Sequence, residues 1–350
     1  MTAVTDRPTE SRVGSGGRAR LRFTDTVVDI DVPAGGSVLE AAVQSGIPMV
    51  SQCEVGSCGT CIGRIVTGDV QMPEGKVCAL RSAEMADGYR LLCQSQIDGD
   101  AEIELDYSQE MLSAHPRVQS TGKVSRVSWL ADTVVELTVK LPKSAKLTFL
   151  AGQYVRLRVP GTDEWRSYSM ASGERQRKQL TFTIRVLPTG AMSNYLRTSA
   201  RVGDAIEIDG PLGSFGLAAD EGPVLMIAGG TGLAPMLSMM DTLQLQRDRP
   251  LQLVFGCVHE SDLFHLDELE ARKSFMPDLS VRIVVDEDCQ SPGIVGGANP
   301  VSVLHPDDVA DPLTSAYLCG PPKMLDAARD RLIELGLPAD RIHAEHFLPS

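Results

Sequence analysis

The stretch Gln52–Cys61, QCEVGSCGTC, carries Cys53, Cys58 and Cys61 in the spacing C-x₄-C-x₂-C, and a fourth cysteine, Cys93, follows in LLCQS. Thiolates are ligands for soft metals, and three in one loop with a fourth standing alone is the plant-type [2Fe–2S] spacing. Structural zinc usually divides its ligands between two short knuckles, which this stretch lacks. Backbone that folds round sulfides and aims N–H groups at them needs glycine, and Gly56, Gly59 and Gly63 are expected to serve that loop.

Two further regions have residue types suited to flat, phosphorylated ligands. Arg166-Ser167-Tyr168-Ser169 alternates along one strand, with Arg166 and Tyr168 on one face and Ser167 and Ser169 on the other. Such a strand could set a guanidinium on a phosphate, a ring against a heterocycle and a hydroxyl on a ring nitrogen. Alone it reads equally as an ordinary exposed strand. Gly190-Ala191-Met192-Ser193 strengthens it, because a glycine turn feeding a helix offers free N–H groups and positive dipole to a diphosphate. Later, Ala228-Gly229-Gly230-Thr231-Gly232-Leu233-Ala234-Pro235 follows an apolar run and opens a helix, where Pro235 is a good starting residue. It is neither G-x-G-x-x-G nor a Walker loop. Cys319-Gly320-Pro321-Pro322 also ends a strand, at the edge where open α/β sheets bind ligands.

Three groups of elements must position these residues. Met1 to about Gly17 is polar and expected to be a disordered tail (1–18). Residues 19–107 read as a compact β-grasp unit: strands at Arg20–Phe23 and Val27–Val32, a helix opened by Ser37 and Glu40 and stopped by Gly46, then the cysteine loop. A strand at Ile62–Thr67, a turn at Gly68–Asp69 and a closing strand at Ala101–Leu105 follow. Residues 108–116 are a linker whose centre, Gln109 to Ala114, tolerates a short helix. Residues 117–218 hold many short strands and one helix at Ala191–Arg197, an antiparallel barrel. In residues 219–350 strands alternate with helices at Ala234–Gln246, Leu266–Arg272 and Lys323–Leu335, which implies a doubly wound parallel sheet. The fold class is therefore multidomain, α+β followed by α/β.

The chain has 350 residues, is 43% hydrophobic and has a formal net charge of −13, which makes nucleic acid or an anionic membrane surface an unfavourable partner. The longest apolar run, Val224 to Met240, is broken by glycines and is no membrane span. No charged-then-apolar leader opens the chain, and a soluble cytoplasmic protein is expected. A thiolate site fits a reducing compartment, so Cys78, Cys257 and Cys289 are expected to be small packing residues rather than disulfide partners.

RSYS at Arg166, GAMS at Gly190, GPLGSFGL at Gly210, AGGTGLAP at Ala228, CGPPKM at Cys319 and EHF at Glu345 occur in the order found in the ferredoxin–NAD(P) reductase superfamily. From about Ala19 onward the chain resembles the reductase components of bacterial multicomponent oxygenases, of the benzoate-dioxygenase and soluble methane-monooxygenase reductase types. That resemblance implies a [2Fe–2S] domain, an FAD domain and an NAD domain. It implies that Arg166, Ser167, Tyr168 and Ser169 hold FAD, with Ser169 near the flavin N5, and that Gly190 and Ser193 bind its pyrophosphate. Gly229, Gly230, Thr231, Gly232 and Pro235 would line the dinucleotide site with Gly320 and Pro321. Cys319 would lie beside the nicotinamide, and Glu345 and Phe347 would approach the isoalloxazine, so that Ser169, Cys319 and Glu345 mark the hydride-transfer centre. Nicotinamide gives two electrons as hydride, a [2Fe–2S] cluster accepts one at a time, and flavin links them without a general base.

NADH is the expected donor, because the segment after the second strand of the last domain, GCVHESD with Glu260, and the acids Asp286-Glu287-Asp288 would repel a 2′-phosphate. The expected partner is a terminal oxygenase of Rieske or diiron type, docking on an acidic face that includes Glu54, Asp69, Glu74, Glu84, Asp87, Asp98, Asp100 and Glu102. A monomer is expected. The alternative is a redox sensor or general electron carrier with a vestigial nicotinamide site, against which the intact AGGTGLAP and CGPP segments stand.

Overall fold

The computed structural model describes residues 14–346, apart from residues 58, 74, 177, 219 and 246–248. They divide into two compact units, Met1–Ala114 and His115–Ser350. The first unit contains β1 (Gly17–Arg22), β2 (Val27–Val32), α1 (Val38–Gln44), β3 (Ile62–Gln71), α2 (Ser82–Ala86), β4 (Tyr89–Leu91), β5 (Gln96–Glu104) and α3 (Gln109–Ala114). Its five-stranded sheet runs β2-β1-β5-β3-β4, with β1 parallel to β5. In β1, Ala19 and Leu21 point into the core while Arg20 and Arg22 point out to Asp29 (2.9 Å) and Glu102 (2.8 Å). Alternation of period two places the apolar set on one face, and α1 covers it with Val38, Leu39, Ala41 and Ala42. Ser37 caps α1 by accepting the Glu40 N–H at 3.2 Å.

Three local expectations change here. The strand starts at Gly17, inside the expected tail, whose residues 1–13 lie outside the described ones. Gly68 and Asp69 do not turn the chain. Gly68, at φ +94°, forms a bulge between Thr67 and Asp69, and β3 continues to Gln71. Gly63 lies in β3 rather than in the cysteine loop, where an added Cβ would stand 2.7 Å from Ile103. Its reason is close packing.

The second unit opens with β6 (Val118–Ala131), β7 (Val134–Lys140), β8 (Tyr154–Arg158), β9 (Trp165–Ser169), β10 (Gln179–Arg185), α4 (Ala191–Thr198) and β11 (Ala205–Leu212). The strands are antiparallel in the order β10-β7-β6-β11-β8-β9. Just past β9, the Ala171 N–H donates to Thr181 of β10 at 2.7 Å, which brings the two end strands together and closes the barrel. Its interior is filled by Leu137, Val139, Val155, Leu157, Phe182, Ile184, Ile206 and Ile208.

The remaining elements are β12 (Val224–Gly229), α5 (Leu233–Leu243), β13 (Leu251–Cys257), α6 (Leu266–Lys273), β14 (Leu279–Val285), β15 (Ile294–Val295), β16 (Ser315–Gly320), α7 (Pro322–Glu334) and β17 (Ile342–His346). They form a parallel sheet ordered β15-β14-β13-β12-β16-β17. β12 reads as a continuous apolar run because both its faces are covered. Val224, Met226 and Ala228 meet α5, and Leu225 and Ile227 meet the α7 side. The chain order reverses between β12 and β16, which makes their carboxyl ends the topological switch point. No described helix is long and apolar enough to cross a membrane.

One buried carboxylate ties the barrel together. Asp209 on β11 is fully buried; it accepts Arg117 Nε and Nη2, both at 2.7 Å, and Arg156 Nε at 3.0 Å, and Arg156 Nη2 pairs with it as well. Burial pushes the Asp209 carboxyl up, but the two guanidiniums outweigh it and hold the group below the usual range. Its stabilisation is therefore present above the unfolded pKa of about 3.9 and is lost as pH falls through the lower folded value. Asp209→Asn should cost about 2 kcal/mol. That is below the roughly 3–5 kcal/mol of a wholly buried pair, because both arginines reach solvent. It should also flatten the acid limb of the thermal-stability profile. Melting curves of Asp209→Asn superimposable on wild type at neutral and acid pH would contradict this.

Candidate functional site

The cysteine loop is shaped by two neighbours. β3 and β4 pair Ile62 with Leu91, and the Leu92 N–H donates to Cys61 O at 2.7 Å, so that Cys93 returns beside Cys61 despite its distance in sequence. Hydrogen bonding with Cys61 lowers the Cys93 thiol below its ordinary range, against burial and the nearby Cys53, and the Gly56 amide donates to the same sulfur. The Val55 N–H is directed at Cys53 Sγ at 3.5 Å. Cys61 and Cys53 thus neighbour Cys93, and thiols facing backbone amides have the donor chemistry a [2Fe–2S] cluster needs, although the described residues bring no three ligands close enough together to hold a metal ion. Cys58 lies outside the described residues.

Gln94 is the residue that sequence reasoning missed here. It is buried, and its Nε2 donates to Val55 O (2.8 Å) and Val77 O (2.9 Å), clamping the cysteine loop to the 72–80 segment. Gly56, at φ +86°, sits against this amide, and a Cβ there would strike Gln94 Nε2. A glutamine next to Cys93, the cysteine expected to complete the ligand set, was the available signal.

On β9, Ser169 is buried and its Oγ has no hydrogen-bond partner among the described residues. A buried hydroxyl without a partner is costly, and a ring nitrogen of a bound flavin would satisfy it. Tyr168 is half-buried and burial raises its phenol. Arg166 donates Nη1 to Trp165 O at 2.9 Å and pairs through Nη2 with Glu164, which a phosphate would have to replace. Ser167 lies across from Arg156 in the β8–β9 ladder. At the start of α4, Gly190 has φ +120° and no side chain caps the helix, which leaves its first amides for an anion. Ser193 Oγ accepts the Leu187 N–H at 2.9 Å and keeps its proton to donate.

At the switch point, two glycine loops meet. Gly229 and Gly230 lead into a short 3₁₀ turn at Gly230–Gly232 and then α5, neither with a side-chain cap. A Cβ on Gly229 would stand 2.7 Å from Met324 Sδ, and one on Gly320 would stand 2.6 Å from Met324 Cε. A Cβ on Gly232 would strike the Cys319 carbonyl. Gly230, at φ +54°, faces open space instead. Backbone packs on backbone below, while Gly230 leaves an unobstructed cradle above. Thr231 lies within the turn and Pro235 in the first turn of α5. Pro321 is the N-cap of α7.

Cys319 is fully buried, and burial, together with the charge of Glu345, raises its thiol well above the ordinary range. It is therefore a neutral thiol. β17, which the sequence reading did not resolve, pairs Glu345 opposite Cys319. A Cβ on Gly213 of the barrel would lie 3.6 Å from Glu345 Oε2, so β17 brings this carboxylate to the barrel's GPLGSFGL segment. Phe347 lies outside the described residues.

Past β13, Glu260 Oε1 accepts Ser291 Oγ at 2.5 Å and Oε2 accepts Cys289 Sγ at 3.1 Å. Glu287 accepts the Glu260 N–H at 2.6 Å and contacts His259 Nδ1 at 3.0 Å. The hydrogen bonds from Ser291 and Cys289 hold the Glu260 carboxyl below its usual range. Cys289, expected as a packing residue, thus touches the candidate dinucleotide site. Cys78 is exposed, against expectation, whereas Cys257 and Cys289 pack against the core as expected, and burial pushes the Cys257 thiol up to about 12.

A cysteine-rich loop, a closed barrel with an unsatisfied buried hydroxyl and a parallel sheet with glycine loops at its switch point have the parts of an iron–sulfur flavoprotein oxidoreductase. Family models agree: the 2Fe-2S iron-sulfur cluster binding domain matches residues 23–98, the oxidoreductase FAD-binding domain residues 121–216 and the oxidoreductase NAD-binding domain residues 226–330. The chain is 33% identical to the toluate 1,2-dioxygenase electron transfer component of Pseudomonas putida, over 92% of this chain and 95% of that one. It is also 33% identical to the propane 2-monooxygenase reductase component of Mycolicibacterium smegmatis, over 94% of this chain and 97% of that one. Among solved structures, it is similar to the Amycolatopsis cytochrome P450 reductase GcoB, with a TM-score of 0.71 and 30% identity over 94% of this chain and 99% of that one. The chain belongs to the family of electron-transfer, or reductase, components of oxygenases, and carries electrons from NADH through FAD to a [2Fe–2S] cluster.

Gln94→Ala should speed release of cluster iron to a ferrous chelator several-fold while FAD content stays at wild type, and Gly56→Ala should assemble little cluster. Iron release at the wild-type rate in Gln94→Ala, with full iron in Gly56→Ala, would remove the clamp from the site.

Proposed function

We propose that the chain is the NADH-preferring reductase of a multicomponent oxygenase system, delivering single electrons to a terminal component of Rieske or diiron class. The observation that carries this is the convergence of the two glycine loops at the switch point of the NAD sheet, with Cys319 and Glu345 on adjoining strands. An intact crevice there argues against a vestigial nicotinamide site.

In this reading Cys53, Cys58, Cys61 and Cys93 hold the cluster. Arg166, Ser167, Tyr168, Ser169, Gly190 and Ser193 hold FAD. Gly229, Gly230, Thr231, Gly232, Pro235, Gly320 and Pro321 seat the dinucleotide, and the working domains are residues 19–107, 117–218 and 219–350, with 108–116 between them. FAD, when bound, takes a hydride and gives up electrons singly, matching donor to acceptor. Ser169 offers its hydroxyl to a ring nitrogen. Cys319 presents an uncharged thiol and excludes water from the transfer position. Glu345 and Phe347 border the isoalloxazine. The working form is a cytoplasmic monomer.

Glu260, backed by Glu287, is the element we assign to NADH preference. Its carboxylate suits a ribose hydroxyl and repels a 2′-phosphate. The acidic docking face is weaker than its residue count, since Glu102 pairs with Arg22 and Glu84 with Arg81. Beside the cluster loop the exposed Val55 and Val77 are flanked by one acid and one base, Glu54 and Lys76. Delivery to the partner should therefore depend on salt only mildly.

A P450 partner is the second reading, favoured by the similarity to the Amycolatopsis reductase. Transfer rates from the reduced chain to purified Rieske, diiron and P450 components would separate these. None of them being reduced would sink the proposal.

Glu260→Gln should raise kcat/KM for NADPH relative to NADH by about tenfold, the size of one removed charge repulsion near 1.4 kcal/mol. An unchanged ratio would move cofactor choice elsewhere. Cys53→Ala should abolish delivery to the oxygenase while NADH-driven ferricyanide reduction, which the flavin alone supports, persists. Loss of both would give the cysteine loop a folding role.

A further inference from the structure

Helix α5 does more than present the dinucleotide loop at its N-terminus, because its other end is bonded into the barrel. Ser238, fully buried, donates Oγ to Ser172 O at 2.8 Å. Asp241 Oδ2 accepts the Gly173 N–H at 3.1 Å, and Asp241 Oδ1 accepts Arg272 Nη1 at 2.8 Å from α6. Arg272 is itself buried and held by Glu268 at 2.8 Å, which also takes His265 Nδ1 at 2.8 Å. The fit is close as well as polar. A Cβ on Gly173 would lie 2.7 Å from Asp241, and one on Gly152 would lie 2.5 Å from Met239 Cε.

The residues that α5 grips are the continuation of β9. Ser172 and Gly173 follow Ser169 by three and four positions, through Met170 and Ala171, which are themselves bonded to Gln153 O (3.2 Å) and Thr181 O (2.7 Å). One buried helix therefore links the loop assigned to the dinucleotide with the strand assigned to the flavin. A helix is stiff along its axis, and its contacts with the barrel are buried at Ser238 and Met239 and half-buried at Asp241, which couples the movement of the two segments.

We infer that Asp241 and Ser238 are positioning residues for hydride transfer, and that α5 acts as a strut setting the approach of nicotinamide to isoalloxazine. This rests on the reading that Ser169 faces FAD and that Gly229–Gly232 seats the dinucleotide. Neither residue touches a reacting atom; each acts through the segment it holds. Misplacement of about 1 Å between reacting groups can cost on the order of 100-fold in rate, whereas binding contacts made elsewhere on each cofactor are untouched.

The test is flavin reduction by NADH in single-turnover stopped flow, on holoenzyme variants. Asp241→Ala loses both the Gly173 contact and the Arg272 pair; Asp241→Asn keeps an acceptor for Gly173. Ser238→Ala is the milder change that folds if the others do not. The expected result is a limiting reduction rate that falls at least about tenfold in Asp241→Ala, partly recovers in Asp241→Asn and falls less in Ser238→Ala. FAD content and the NADH dissociation constant should stay near wild type, and the long-wavelength charge-transfer absorbance of the NADH complex should weaken. Wild-type limiting rates in Ser238→Ala and Asp241→Asn, or a loss confined to NADH affinity or flavin content, would overturn the strut. Ser169→Ala, run alongside, tests the underlying reading. If it alone leaves reduction unchanged, the placement of FAD is at fault rather than the helix.

Discussion

The crevice between β12 and β16 depends on backbone touching backbone. Gly232 lies so close to the Cys319 carbonyl that no side chain fits, and Gly229 and Gly320 approach each other under the Met324 side chain. Because the sheet reverses its order between these two strands, the helices that follow them, α5 and α7, cover opposite faces, which is the arrangement that leaves a crevice at the carboxyl edge. Glycine is therefore required twice over: below, so that the loops can close on each other, and at Gly230, so that the top remains open. The uncapped start of α5 leaves its first amides free of side-chain competition, as binding of a phosphate would require.

Polar groups buried or half-buried in the second unit are arranged in two distinct ways. Asp209 and Asp241 are each saturated, one by two arginines and the other by Arg272 and a backbone amide. Such satisfied clusters hold strands and helices in a single arrangement, since breaking them leaves charge uncompensated. Ser169 is the opposite case, buried with nothing to bond. Unsatisfied groups are rare in cores, and one that lies on the strand expected to meet a flavin reads as a position reserved for a ligand.

How much was legible in the sequence follows from the range of the signal. The cysteine spacing, the strand–helix alternation after Gly222 and the glycine loops are local patterns, and each of the corresponding elements occurs within a few residues of its expected bounds. What escaped was set by tertiary partners. Gly68 looked like a turn residue because a positive φ is common to turns and bulges, and only pairing with β5 decides between them. β4 and β17 are too short or too polar to show a period, yet they place Cys93 and Glu345. Gln94 and Cys289 carried no motif at all. Gln94 acts through two backbone carbonyls, and Cys289 through a carboxylate that a separate loop brings to it.

The charge of the first unit illustrates why a count of acids is a poor guide to a docking surface. The arginines of β1 alternate with its buried residues, so they project from one face of the sheet and meet Asp31, Asp29 and Glu102 on the flanking strands. Arg64 similarly meets Glu104 across β3 and β5. Exposed pairs of this kind add little stability, but they cancel the field that unpaired carboxylates would project. Long-range steering then draws on the surplus of acids over bases in the whole chain, while the cysteine loop and its neighbour expose Val55 and Val77 beside one acid, Glu54, and one base, Lys76. An electron carrier must release its partner as readily as it meets it. A surface with small apolar contacts and a largely neutralised sheet supports brief encounters better than a dense acidic patch would.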